Sequence, residues 1–485
     1  MSTHKARTGA ARAELYKKRE KIFPKRVSGR FRSLKWLVMA VTLTIYYFTP
    51  WLRWNRGPYA PDQAVLVDIA HRRFYFGPIE IWPQEFYYIA GLLIMAGIGL
   101  FLVTSSIGRA WCGYACPQTV WVDLFMAVER RIEGDRNARI RLDRARWGPA
   151  KIARRAALHA SWLLIGLLTG GAWVFYFADA PTLARELFNG EAAFIAYASI
   201  GVLTATTYLF GGLLREQVCN YMCPWPRIQS AMLDENSLVV TYKAWRGEPR
   251  SQGMKRAEIA DLKLGDCIDC NACVNVCPAG IDIRNGPQLE CITCALCIDA
   301  CNDVMGKLNR PQDLIGYTTL KRDQEEAAGK PLKPLWRTVV RPRTMLYFAG
   351  WSLIGLAMLG VLATRDRLDL SVGHDRNPTF VRLADGDIRN GYTVKLLNME
   401  ARPRRFALSI AGLKGASMHE ALGSKEERST LVIDARPDGL ETLHVYVRAP
   451  RTALDGERTD FRFELREIGG DEATSETTYF SAPEA

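Results

Sequence analysis

Eight cysteines near the middle of the chain constrain it more than any other feature. They form two runs with the spacing C-x2-C-x2-C-x3-C, at Cys267, Cys270, Cys273 and Cys277 and at Cys291, Cys294, Cys297 and Cys301. This is the ligand spacing of a ferredoxin that carries two [4Fe–4S] clusters. The fourth cysteine of each run leaves the tight loop and reaches only the other cluster. We therefore predict one cluster on Cys267, Cys270, Cys273 and Cys301, and a second on Cys277, Cys291, Cys294 and Cys297.

A zinc site or a disulfide framework is the alternative for these cysteines. Zinc sites usually take two cysteine pairs per metal, not two runs of four, and disulfides are disfavoured in the cytosol. All 12 cysteines fall into four short clusters with metal-ligand spacing, and none lies in the last 180 residues. This pattern favours metal over a disulfide scaffold.

Five apolar runs have about the 20-residue length that a bilayer requires, and they predict transmembrane helices. They lie at 34–54, 86–107, 158–179, 192–213 and 344–363. Lys and Arg crowd the tail at 1–33, the loop at 108–157 and the start of the fifth run. By the positive-inside rule these parts are cytoplasmic, and the tail from about 364 lies outside. The net charge of +13 therefore reflects topology, and we expect no nucleic-acid partner.

The last part of the chain differs from the rest. Short alternating apolar runs separated by turn-forming residues predict several antiparallel strands there. We expect this domain to serve docking or structure rather than catalysis. The predicted regions are a basic cytoplasmic tail at 1–33, a four-helix membrane region at 34–213, a cytoplasmic region at 214–343 with a ferredoxin segment at about 260–310, a fifth membrane helix at 344–363 and an external β-sandwich at 364–485.

The predicted fold class is therefore an α-helical integral membrane protein with five transmembrane helices. It has an inserted ferredoxin-like domain for two [4Fe–4S] clusters and a C-terminal all-β immunoglobulin-like sandwich.

Two further cysteine pairs, Cys112/Cys116 and Cys219/Cys223, share the pattern C-x-Tyr-x-C-Pro. Each follows a predicted span that runs from outside to inside, so both lie at the cytoplasmic membrane surface. A parallel repeat of the two halves would bring them together. On a helix, cysteines at i and i+4 share a face. Four such thiols suit Cu(I), zinc or an iron–sulfur cluster, and small buried cysteines without a ligand are the alternative.

Other cofactor signals are weak. The six histidines include none deep in a predicted span, which does not support a transmembrane haem with two histidine ligands. Met126, Met222 and Met232 could donate thioether sulfur to copper, although methionine near a membrane is more often packing. No Gly-rich phosphate-binding motif occurs, and a quinone or flavin site is left open.

In their order along the chain, the basic N-terminus, the five apolar runs, the two C-x-x-x-C-P motifs, the two-cluster run and the β-rich tail resemble the FixG/RdxA family. These are the cytochrome c oxidase accessory proteins also called CcoG. The resemblance implies a multi-pass protein of the bacterial inner membrane with a periplasmic C-terminal domain. It implies cluster ligation by the eight central cysteines. It also implies that copper is bound and reduced at Cys112, Cys116, Cys219 and Cys223.

We therefore expect a cupric reductase that passes electrons from a cytoplasmic donor, through two [4Fe–4S] clusters, to copper during assembly of cbb3-type cytochrome c oxidase. Expected partners are the lipid bilayer, copper ions, copper-delivery or cbb3 assembly proteins and the electron donor, and a homodimer is left open. Two alternatives stand beside it. One is a quinol- or flavin-linked membrane electron carrier without copper, and the other is a non-redox assembly scaffold that docks through the β-domain.

Overall fold

The computed structural model describes residues 21–250, 264–332, 334, 336–422, 426–454 and 456–483. Parts of two predicted segments, 1–20 of the basic tail and 260–263 of the ferredoxin segment, lie outside the described residues. The chain divides into two compact units. One is formed from Met1–Pro50, Val67–Arg73 and Ile81–Gly355, and the other from Trp51–Leu66, Phe74–Glu80 and Leu356–Ala485.

Helices make up most of the described chain before residue 365. In chain order they are α1 (Arg30–Phe48), α2 (Tyr87–Ile107), α3 (Pro117–Glu133), α4 (Arg136–Arg144), α5 (Pro149–Val174), α6 (Ala180–Asn189), α7 (Phe194–Thr207), α8 (Trp225–Met232), α9 (Ala244–Gly247), α10 (Ala272–Val276), α11 (Leu296–Lys307), α12 (Leu320–Ala327), α13 (Trp336–Val339) and α14 (Pro342–Thr364).

The strands form one three-stranded sheet and one pair before α14, and a larger set after it. In chain order they are β1 (Val65–Asp68), β2 (Arg73–Phe76), β3 (Ile79–Ile81), β4 (Val239–Tyr242), β5 (Ile315–Thr318), β6 (Leu368–His374), β7 (Val381–Arg382), β8 (Ile388–Asn398), β9 (Arg404–Ala411), β10 (Ser417–Glu420), β11 (Thr430–Ala435), β12 (Gly439–Ala449), β13 (Arg458–Glu467) and β14 (Ala473–Ser481).

Four helical stretches of the described chain are long and apolar enough to cross a membrane. They are Pro83–Ile107, Pro149–Val174, Phe194–Leu214 and Pro342–Thr364. Each overlaps one of the predicted runs, and most of their side chains are not buried within the protein. These helices are consistent with a membrane protein, because their length and apolar composition suit the hydrocarbon core of a bilayer.

The first predicted run, at 34–54, differs from the other four in its hydropathy. Its helix, α1, begins at Arg30 and ends at Phe48, and it is long enough for a span, but it is not among the described helices that are apolar enough to cross a membrane. Arg32 and Lys35 lower its hydropathy. Their side chains are buried, with 5% and 2% of each residue exposed, against the Asp123 carboxylate. A fifth span therefore stays a prediction.

The N-terminus of α1 is capped by a carboxylate from the ferredoxin region. Asp299 accepts hydrogen bonds from the backbone N–H groups of Phe31 (3.3 Å) and Arg32 (2.7 Å), which the first helical turn leaves without internal partners. A carboxylate at this end also meets the positive pole of the helix dipole. Gly29 provides the space, because a Cβ there would lie 2.3 Å from the Asp299 Cγ.

The two central cysteine runs are tight loops that lead into α10 and α11. Non-glycine residues adopt left-handed backbone at the same two positions of both loops. The φ angles are 54° at Asp269, 57° at Asn271, 51° at Thr293 and 61° at Ala295. Left-handed backbone costs about 1 kcal/mol or more per non-glycine residue. Strain repeated at matching positions indicates a functional constraint on both loops.

The strands after α14 form two antiparallel sheets. One has the order β10-β12-β8-β6 with β7 also paired to β8, and the other has the order β11-β9-β13-β14. Along β13 every second residue is buried, as expected for a sheet with one face in a core. The core includes Tyr392, Phe406, Phe463 and Phe480, each fully buried. The predicted β-rich domain is confirmed.

Candidate redox centre

The structure gathers the eight central cysteines around two cavities. One cavity, of about 380 Å³, is lined by Cys277, Cys291, Cys294 and Cys297. The other, of about 340 Å³, is lined by Cys267, Cys270, Cys273 and Cys301. Cys273 lines both cavities, so the two adjoin. These are the sets that the spacing predicts, including the exchange of the fourth cysteine between runs.

The cavities fit a cluster better than a single ion. All 12 cysteines are free thiols. In a cubane cluster each thiolate binds a different iron, whereas structural zinc draws four ligands onto one atom. Four cysteines spread around an otherwise mostly apolar cavity therefore match an iron–sulfur cluster.

Burial raises the pKa of five of the eight central thiols. The pKa of Cys273 and of Cys291 rises to about 11, and that of Cys277 and of Cys301 rises to about 12. Metal-binding cysteines are thiolates, so loading of either site must release protons.

The two other cysteine pairs lie in π-helical turns of the same kind. The first turn spans Trp111–Ala115 and the second spans Val218–Met222. The N–H of the closing cysteine donates to the carbonyl of the first residue of the turn, at 2.9 Å from Cys116 and 2.8 Å from Cys223. Single π turns are frequent at functional sites.

The residues around these turns repeat as well. Four residues before the first cysteine of each pair the backbone is left-handed, with φ of 65° at Gly108 and 44° at Arg215. A proline follows the last cysteine of each pair, Pro117 at the first position of α3 and Pro224 immediately before α8. This agrees with the predicted internal repeat.

Side chains connect the two pairs crosswise. The Cys112 thiol donates to Gln229 Oε1 at 3.0 Å, and Gln229 lies on the helix that follows the second pair. In the other direction, Gln118 Nε2, just after the first pair, donates to the Arg215 carbonyl at 3.2 Å. The first pair is therefore held against the second by helices from both halves.

The four thiols of these pairs lie within electrostatic reach of one another. Burial raises the pKa of Cys219 to about 12, and the thiols of Cys116, Cys112 and Cys223 add to the rise. Burial also raises the pKa of Cys112, against an opposing effect of the Arg109 guanidinium. The two pairs therefore interact, and their joint binding of a metal stays a prediction.

The first pair packs directly on the second central run. A Cβ on Gly113 would lie 2.6 Å from the Ile292 carbonyl oxygen and 3.1 Å from the Cys294 backbone nitrogen. The adjacent Tyr114 hydroxyl donates to the Cys294 carbonyl at 3.2 Å. The second pair has Asn220 at the position of Gly113. Only a residue without a side chain permits this approach at the first pair.

Sequence reasoning missed two features of the centre. One is Arg109, a buried cation beside Cys112, which only its place next to the turn at Gly108 could have signalled. The other is a third cavity, of about 560 Å³, whose lining includes Cys219, Met126 and Lys35. Residues distant in sequence form this cavity, so no local sequence pattern predicts it.

Comparison with known proteins agrees with these features. A family model described as a 4Fe-4S dicluster domain matches residues 214–320, and one described as a 4Fe-4S binding domain matches residues 89–133. A third, for the IG-like fold at the C-terminus of FixG, matches residues 358–483. The nitrogen fixation protein FixG of Rhizobium meliloti is 59% identical over 463 residues, covering 91% of this chain and 88% of its own.

The chain belongs to the FixG/RdxA family. Protein RdxB of Cereibacter sphaeroides is 53% identical, covering 97% of this chain and 98% of its own. Protein RdxA of the same organism is also 53% identical, covering 94% of this chain and 96% of its own. As a FixG/RdxA protein with matched 4Fe-4S and Ig-like domains, the chain is an iron–sulfur oxidoreductase with four helices suited to a membrane.

Proposed function

We propose that this protein is a cupric reductase. It accepts electrons from a cytoplasmic donor and reduces Cu(II), its substrate, at Cys112, Cys116, Cys219 and Cys223. The observation that carries the proposal is the packing of Gly113 and Tyr114 on the loop between Cys291 and Cys294. This contact joins the loop of one proposed cluster set directly to the backbone between two of the proposed copper ligands.

The two sets of four cysteines are the proposed cluster ligands. When bound, [4Fe–4S] clusters supply one-electron transfer, and one electron converts Cu(II) to Cu(I). Each reduced copper ion therefore requires one electron from the donor. Cys270 is the exposed member of its set, which gives a soluble donor access to that cluster.

The paired cysteines favour the product. Soft thiolates select Cu(I), so binding at these residues stabilises the reduced ion. Gln229 holds the Cys112 thiol by a hydrogen bond. The close approach of Gly113 to Ile292 and the hydrogen bond from the Tyr114 hydroxyl fix the turn that carries this thiol.

The membrane arrangement is part of the proposal. Five spans, including α1, would put the N-terminus and residues 214–343 in the cytoplasm and the β-sandwich in the periplasm of a bacterial inner membrane. The distribution of Lys and Arg supports this orientation. Copper-delivery or cbb3 oxidase assembly proteins are the proposed partners that consume Cu(I).

Anaerobic copper reduction tests the proposal. The protein is reduced with dithionite, desalted, and mixed with Cu(II) and a Cu(I)-specific chelator. We expect parent protein to yield Cu(I), and the quadruple variant Cys112→Ser/Cys116→Ser/Cys219→Ser/Cys223→Ser to keep its iron but lose this yield. Reduction and binding of copper by the quadruple variant at the parent level would make the copper assignment wrong. Normal oxidase assembly by a variant without clusters would favour the scaffold function.

Iron analysis separates copper from a third cluster at the paired cysteines, because the family model that matches residues 89–133 carries a 4Fe-4S description. Two cubane clusters predict about eight iron atoms per chain. About twelve, falling to about eight in the quadruple serine variant, would instead assign iron to the paired cysteines.

A quinol- or flavin-linked carrier is the second candidate. The cavity beside Cys219 supports it, because its lining combines apolar side chains with the charged groups of Lys35, Arg215 and Glu216, as ligand pockets do. The test is to mix the anaerobic, oxidised protein with menadiol. Reduction of the clusters is measured as a loss of their visible absorbance. Met126→Trp, which fills the cavity, should abolish bleaching by menadiol and leave bleaching by dithionite intact.

A further inference from the structure

Arg109 is a buried cation without a carboxylate partner. It is 3% exposed, and within the described ranges no Asp or Glu pairs with it. Its guanidinium donates hydrogen bonds to the Leu289 carbonyl and to the Cys112 thiol sulfur, while its Nε has no partner among the described atoms. Other buried arginines of this protein are paired: Arg32 with Asp123, Arg139 with Glu129 and Arg404 with Glu467.

An unpaired buried charge is costly, so such a group usually has a compensating charge. Arg109 lies three residues before Cys112, and its carbonyl accepts the Gly113 N–H at 3.2 Å. Leu289, which its guanidinium contacts, lies two residues before Cys291. The guanidinium interacts with the thiols of both regions, Cys112 and Cys219 on one side and Cys291 on the other.

We propose that Arg109 is the counter-charge shared by the Cys291 loop and the paired cysteines. Metal-binding cysteines are thiolates, so each loaded site is anionic and supplies the negative charge that Arg109 lacks. Added electrons increase that negative charge, and a nearby cation stabilises the reduced state more than the oxidised state. Arg109 is a positioning residue, and its part at the paired cysteines depends on the proposed function.

The test compares Arg109→Gln, which removes the charge, with Arg109→Lys, which keeps it. Reduction potentials are measured by EPR-monitored titration of anaerobic protein. We expect Arg109→Gln to shift the reduction equilibrium of one cluster about tenfold toward the oxidised form, which is about 59 mV for one electron. The other cluster, on the set that contains Cys270, should shift less. Arg109→Lys should keep a reduction potential close to that of the parent protein.

Copper affinity is the second readout. Competition with a Cu(I) chelator should show about tenfold weaker binding by Arg109→Gln than by the parent protein, and near-parent binding by Arg109→Lys. Arg130→Gln is the matched control. It removes an arginine of the same half that contacts the Pro24 carbonyl and interacts with other charged residues rather than with a thiol. The control should leave both potentials and the copper affinity unchanged.

The outcomes decide between roles. Unchanged potentials in Arg109→Gln with parent iron content would overturn the proposal, as would equal loss of iron in the Gln and Lys variants. Iron loss in Arg109→Gln alone would support a requirement for charge. If the parent protein binds no copper, the proposed copper function is wrong. A shifted potential in Arg109→Gln would even then support Arg109 as the counter-charge of the Cys291 loop.

Discussion

The protein holds its cysteines in two different ways. The eight central cysteines sit in loops with left-handed backbone at matching positions, and they surround cavities. The four paired cysteines sit in π-helical turns, and contacts between two distant halves of the chain bring them together. Short sequence spacing therefore specifies the cluster sets, whereas tertiary packing specifies the paired site. Mutations should separate these two kinds of control.

The largest effect should come from the exchanged cysteines. Cys277 lies in the first run but lines the cavity of Cys291, Cys294 and Cys297. Cys277→Ala should therefore remove the cluster of the second run and lower the iron content from about eight to about four atoms per chain. Iron analysis and EPR of the reduced protein measure this loss.

Cys301→Ala is the matched control, because Cys301 lines the other cavity. It should remove the other cluster instead. Cys291→Ala should leave the same EPR spectrum as Cys277→Ala, and Cys270→Ala the same spectrum as Cys301→Ala, because each pair lines one cavity. A Cys277→Ala spectrum that matches Cys270→Ala instead would contradict the exchange of cysteines between the loops.

The contact between the turn that carries Cys112 and the loop that carries Cys291 should give the second largest effect. Gly113→Ala puts a Cβ 2.6 Å from the Ile292 carbonyl oxygen. Overpacking of this kind costs about 1–3 kcal/mol of folding stability. Relief of the clash moves the Cys112 turn away from the Cys291 loop, so we expect copper reduction to slow. Gly97→Ala is the control, because a Cβ there meets nothing within 4 Å. Stopped-flow reoxidation of dithionite-reduced protein by Cu(II), at unchanged iron content, measures the effect. An unaffected rate would remove Gly113 from the electron path.

These two regions also differ in how far the sequence predicts them. Local spacing predicts both cluster sets, and apolar length predicts four of the helices that suit a membrane. The burial of Arg32 against Asp123 and the contact of Gly113 with Ile292 join residues far apart in the chain. No local pattern encodes them. The run at 34–54 was predicted from its apolar residues alone, which cannot reveal that Lys35 is buried beside a carboxylate.

A moderate effect should follow from the capping contact that joins α1 to the second cysteine run. Asp299→Ala leaves the N–H groups of Phe31 and Arg32 without their acceptor. Loss of an N-terminal cap costs about 0.5–2 kcal/mol. We expect a lower thermal midpoint in detergent. Asp303→Ala on the same helix removes an exposed carboxylate paired with Lys307, and it should change stability by less than about 0.5 kcal/mol. Equal midpoints for the two variants would argue against the cap.

The smallest effect should be confined to the paired cysteines. Gln229 is fully buried, accepts from the Cys112 thiol and donates to Thr104 Oγ1 at 3.2 Å. A Cys112 thiolate can only accept hydrogen bonds, so Gln229 must turn its amide to serve the metal-binding form. Gln229→Leu removes this partner, and one hydrogen bond contributes about 0.5–1.5 kcal/mol. Cu(I) affinity should fall about two- to tenfold.

Cluster content and EPR should not change in Gln229→Leu, since the residue touches neither central loop in any described contact. Thr104→Val separates a direct role from packing, because it removes only the second partner of Gln229. If Thr104→Val weakens Cu(I) binding as much as Gln229→Leu does, the glutamine acts by positioning the helix rather than by serving Cys112. If only Gln229→Leu weakens Cu(I) binding, Gln229 from the half of the second pair acts directly on the Cys112 thiol of the first pair. The paired site would then depend on packing between the halves in a way that the cluster loops do not.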